Sequence, residues 1–93
     1  MPTPPDQRVL IRFTKAGGHW AEIRERTLTA FRDAIEILVF VDGSCLGGEL
    51  FQRERQAEYS ATLGSRIKQF TDGGWMVASV VAGIVVSASI ENK

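Results

Sequence analysis

Residues Trp20–Ile35 read WAEIRERTLTAFRDAI, and the period assigned to them decides the fold. Trp20, Ile23, Thr27, Leu28, Phe31, Ala34 and Ile35 fall on one stripe at helical spacing, with Glu22, Arg26, Thr29, Arg32 and Asp33 mainly on the remaining surface. Glu22 precedes Arg26 by four, the favourable order for a helical ion pair. Glu22 and Glu25 also fall near the positive end of the helix dipole. The spacing predicts an amphipathic helix entered from the turn Lys15-Ala-Gly-Gly18.

On the N-terminal side, Gln7–Thr14 alternates, with Val9, Ile11 and Phe13 on one side and Arg8, Leu10, Arg12 and Thr14 on the other. That is a strand. Residues 1–6, three of them proline, form a loose arm that can sustain neither ladder nor helix. On the C-terminal side, Ile37–Val41 is apolar on both faces and ends at the turn signal Asp42-Gly43. Gly47–Arg53 reads either as a short edge strand or as a helix beginning at Glu49. From Gln56, the spacing of Tyr59, Leu63, Ile67 and Phe70 predicts a helix that Asp72-Gly73-Gly74 stops.

Trp75–Ile90, WMVASVVAGIVVSASI, carries no charge. As a helix it reaches about 24 Å, short of the roughly 30 Å of a bilayer core, and its valines and isoleucines favour a strand. A straight strand of that length spans about 53 Å, far beyond a globule with a radius of gyration of about 12–13 Å. It must bend, fold back near Gly83, or reach another subunit. The expected fold is α+β, a ferredoxin-like β-α-β-(β)-α-β sandwich with two helices on one face of a mainly antiparallel sheet, formed by residues 7–93 as a single domain. A small α+β sandwich of different connectivity is the alternative.

In that architecture Val9, Ile11 and Phe13 face the helices. The second face is left with Arg8, Leu10 and Arg12 beside apolar residues of the second and last strands, more apolar surface than monomers usually expose. A second copy of the chain is the expected partner, as a homodimer or larger assembly. With 93 residues, the core alone leaves the fold marginal, so association would help.

Charge and composition exclude several classes. Eleven Lys and Arg balance eleven Asp and Glu, so the general electrostatic attraction used by nucleic-acid binders is missing. One cysteine, Cys45, and one histidine, His19, exclude an intramolecular disulfide and a four-ligand Cys/His zinc site. Neither a cofactor nor a metal is expected. The glycine pairs at 17–18, 47–48 and 73–74 match no phosphate-cradling motif and read as turns and caps. No targeting segment is recognisable in Met1–Asp6 and no membrane span is expected, which points to the cytoplasm.

The candidate ligand contacts are Arg8, Arg12, Trp20, Tyr59 and Trp75. Two arginines rising from one strand face could grip a carboxylate or phosphate, or pair with acidic residues of a neighbouring strand. The three aromatics could stack on a ligand, or pack in the core. His19, Glu22, Glu49 and Tyr59 are of the residue types that act as general acids or bases, but their spacing favours no reaction. The string Gly47-Gly48-Glu49-Leu50, together with Pro2, resembles the tautomerases that use an N-terminal proline as base. The resemblance covers four residues and one terminus, and it implies a pocket beside Pro2.

Three functions follow from this sequence. The first is binding of a small organic, possibly anionic, molecule at a sheet face or subunit boundary. The second is an interaction module that lends its apolar C-terminal strand to a partner's sheet. The third is a cofactor-free enzyme of the isomerase or monooxygenase type.

Overall fold

The computed structural model describes residues 7–28 and 34–81. Four strands follow one another, β1 (Gln7–Lys15), β2 (His19–Leu28), β3 (Ala34–Val41) and β4 (Ser44–Phe51). A helix, α1 (Gln56–Asp72), leads to a final strand, β5 (Met76–Val80). All neighbouring strands are antiparallel, in the order β4-β3-β2-β1-β5. The fold is therefore a mainly β sheet with a single helix among the described residues, and it overturns the ferredoxin-like expectation of two helices.

The helix expected over Trp20–Ile35 is the element that fails. β2 occupies its first half and Ala34 already begins β3, while residues 29–33 lie outside the described residues. Ala21 and Ile23 enter the core, and Glu22, Arg24 and Arg26 alternate with them on the opposite face. Charge on the open face makes a period of two look like a period of four, because Glu22 and Arg26 also fit a helical pair. Cross-strand pairing decides the competition: Arg12 sits opposite Glu22, Arg8 opposite Glu25 and Arg26 opposite Glu36, all bridged by their side chains.

A bulge in β1 breaks the simple alternation expected there. Val9 pairs with Arg24 and Ile11 with Ile23, so Leu10 is an extra residue. Leu10, Ile11 and Phe13 are buried, whereas Val9 pairs with Arg24 on the open face. Of Gly47–Arg53, which the sequence leaves open between strand and helix, Gly47–Phe51 lies in edge strand β4, whose Phe51 reaches the core, and Gln52 and Arg53 follow the strand. Asp42 (φ 50°) and Gly43 (φ 88°) form the two-residue β3–β4 turn. The apolar run is a strand as far as Val80; residues 82–93, including the fold-back expected near Gly83, lie outside the described residues.

α1 matches its predicted spacing, with Tyr59, Leu63 and Ile67 buried against the sheet. Each such side chain contributes about 1.5–3 kcal/mol when fully buried. Past its end, Gly74 (φ 91°) turns the chain and the Trp75 N–H donates to the Phe70 carbonyl at 3.0 Å. The helix joins opposite edges of the sheet, so it must cross one face. At its start Tyr59 packs edge-on against Phe51 of β4, with ring centroids 5.9 Å apart. Near its end Phe70 stacks on Phe13 of β1 at 4.6 Å. This diagonal covers the Phe51 end of β4 and leaves the Leu46–Gly48 end open.

A candidate binding cleft between the helix and the β3–β4 hairpin

The uncovered corner is a cleft of about 540 Å³. Ile37 and Val39 of β3 form its floor, and Phe70 and Trp75 form an apolar wall. Those two rings meet edge to face at 5.6 Å and 89°, which fixes both planes. Across the opening lie Leu46, Gly47 and Glu49 of β4, with Arg66 and Gln69 of α1 above them. Gly47 is what keeps the space empty. It pairs with Val39 on the helix side, its φ is 146°, and a Cβ placed there would meet nothing within 4 Å.

The polar groups of the cleft are already connected. Arg66 Nε donates to Glu49 Oε1 at 2.8 Å, and Nη2 donates to the same oxygen. Arg66 Nη1 donates to Gln69 Oε1 at 3.3 Å. Lys15 Nζ lies 5.5 Å from the centroid of the Trp75 ring and adds a second positive charge beside the aromatic wall.

Of the five ligand contacts proposed from sequence, only Trp75 lines this cleft. Arg8 and Arg12 do not share a face, because the β1 bulge separates them. Arg8 Nε donates to Glu25 at 3.0 Å beneath the start of α1, and Arg12 Nε donates to Glu22 at 2.8 Å on the open face. Tyr59 is a core residue whose hydroxyl donates to Glu25 Oε2. Burial first, then that carboxylate, push its phenol above the ordinary value. Trp20 lies on the open face beside the β3–β4 turn, where a Cβ at Gly43 would stand 3.8 Å from its ring.

The open face is a charged network. Glu22 is only 2% exposed, yet it accepts hydrogen bonds from Arg12 and, at 2.9 Å, from Arg24 Nε. Arg24 Nη1 reaches Gln7 at 3.0 Å, and its guanidinium lies 4.2 Å from the Phe40 ring centroid. The largely apolar second face expected from the sequence is therefore corrected, since β2 sends Glu22, Arg24 and Arg26 there. Every carboxylate in this network is already partnered.

His19 and Glu22, of residue types suited to acid–base work, both belong to β2, and His19 turns to Asp42. Its Nδ1 lies 2.9 Å from Asp42 Oδ2, while Asp42 Oδ1 accepts the Trp20 N–H at 3.0 Å. The Trp20 N–H first, then His19, hold the Asp42 carboxyl below its ordinary value. Cys45 is exposed on β4. Among the described residues no three His, Cys, Asp or Glu side chains converge on a metal site. Gly47-Gly48-Glu49-Leu50 lies in an edge strand after a hairpin rather than after a strand–helix–strand unit, and Pro2 lies outside the described residues.

Arg66 and Gln69 had no functional reading in the sequence, and Gly47 entered only as a turn residue and as part of the short tautomerase-like string. Arg66 sits beside the buried Tyr59–Leu63–Ile67 stripe, and two adjacent glycines in an edge strand opposite Val39 were the available signal of a gap. No helix among the described residues is long and apolar enough to cross a membrane. Comparison with protein families, curated proteins and solved structures gives no match.

Proposed function

We propose that this chain binds a small organic molecule with an apolar, ring-bearing body in the cleft between α1 and the β3–β4 hairpin. The observation that carries this reading is the combination of about 540 Å³ of space with a fixed Phe70–Trp75 wall and polar groups at one side. Small-molecule sites are typically concave, apolar and of this size, with few polar groups to orient the ligand. A thermal-shift series with indole, naphthol and aliphatic alcohols tests it. Ring compounds are expected to raise the melting temperature of the wild type but not of Gln69→Trp, which places an indole from an exposed helix position into the space. No shift by any ring compound, or an equal shift in the variant, contradicts the proposal.

A second reading rests on β4. It is an edge of the sheet among the described residues, with Leu46 67% and Leu50 54% exposed, and it contains neither lysine nor proline. Such an edge is a template for another strand. Pairing of two copies along β4 would place a subunit boundary beside the cleft. Light scattering at micromolar concentration is expected to give a dimer that Leu50→Lys weakens; a monomer at all concentrations contradicts this.

A further inference from the structure

We infer that the ligand of this cleft is an aromatic carboxylate, whose acid group takes Arg66 from Glu49. The inference rests on the cleft being a ligand site and adds the chemistry of the ligand's head. Three observations converge on it.

The Arg66–Glu49 contact is an incomplete grip. Both guanidinium donors fall on one carboxylate oxygen, whereas a guanidinium fork satisfies two oxygens when a carboxylate meets it side by side. The two side chains are 33% and 40% exposed, a setting in which ion pairs are weak and readily exchanged for water. A carboxylate carried on an apolar body in the cleft could present both oxygens to the fork, while Glu49 turns outward to solvent.

Charge around the cleft favours an anion. Arg66 and Glu49 are the charged residues that line it, the Glu49 carboxylate is already engaged by Arg66, and Lys15 adds a positive charge from outside the lining, 5.5 Å from the Trp75 ring centroid. A ligand cation directed to Glu49 would have to sit beside the Arg66 guanidinium, and the like charges would repel.

Spacing matches the head to the body. Arg66 and Phe70 are one helical turn apart, about 6 Å along the axis, so the acid-binding group and the aromatic wall stand in line on one side of the cleft. A ring between Val39 and the Phe70–Trp75 wall, bearing its acid on a two- or three-atom spacer, spans that separation.

The test compares indole-3-propionate, its neutral amide and the cationic tryptamine by isothermal titration with the full chain, its Arg66→Met variant and its Glu49→Gln variant. Circular dichroism melts confirm that the variants are folded. The acid is expected to bind about tenfold more tightly than the amide. Arg66→Met should bring acid and amide together, and Glu49→Gln should raise the acid-to-amide affinity ratio several-fold. Equal binding of acid and amide, preference for tryptamine, or a fallen ratio in Glu49→Gln overturns the inference while leaving the cleft a ligand site. Binding by none of the three overturns both.

Discussion

Arg8 and Arg12, four positions apart on β1, pair with Glu25 and Glu22 on opposite faces of the sheet. One extra residue, Leu10, produces that division, because a single inserted position moves everything before it to the other face. The two ion pairs consequently have different environments. Glu25 is partly exposed and shared with Tyr59, whereas Glu22 is almost fully buried and depends on Arg12 and Arg24.

That difference is measurable as stability. Arg24→Met removes one of two cations from a buried carboxylate and should cost about 2 kcal/mol in urea unfolding. Arg8→Met breaks a pair whose arginine side chain is 59% exposed and should cost less than about 1 kcal/mol. Equal costs would show that the open-face network is no more than solvated surface charge.

Tyr59 gives the fold an alkaline limit. Its phenol titrates above the ordinary value of 10.0 in the folded chain, because burial and the Glu25 carboxylate disfavour the phenolate. Above pH 10, until the folded chain's own phenol titrates, the unfolded chain has lost a proton that the folded chain keeps, so stability falls as pH rises. The contribution is complete below pH 10 and is lost progressively above it. Melting temperatures from pH 8 to 11 should therefore fall more steeply in the wild type than in Tyr59→Phe; parallel curves would contradict the buried phenol.

Gly47 joins fold to cleft. At φ 146° a side chain is strained whatever space is available, so Gly47→Ala should destabilise by about 1–3 kcal/mol although no atom stands in the way. Chemical denaturation measures this. A neutral or stabilising substitution would mean that β4 does not have this backbone at the edge of the cleft.

Much of the chain is legible from residue patterns, and the failures have a common cause. α1 follows from Tyr59, Leu63 and Ile67, whose apolar spacing has no competitor. β1 and the Ile37–Val41 part of β3 follow from alternation and β-branching, while Ala34 and Ile35, which begin β3, fit the helical stripe. β2 is misread because only Ala21 and Ile23 mark its buried face, while Glu, Arg and Thr suit an exposed helix as well as an ionic sheet face. The evidence for the strand lies in residues far along the chain, in the acids and bases that become partners only once β1, β2 and β3 are in register. The site was missed for a related reason. Trp75 was recognisable as an aromatic contact, but Arg66 and Gly47 acquire meaning only from the diagonal on which α1 crosses the sheet, and no local pattern specifies that diagonal.

The cleft is tested most directly by a ¹H–¹⁵N correlation titration of the full chain with indole. The account predicts that the perturbed signals gather at Val39, Gly47, Gln69 and the Trp75 indole N–H, while Trp20 on the opposite face stays unmoved. Perturbations centred on Trp20 and Phe40, or none at all at millimolar indole, would contradict it.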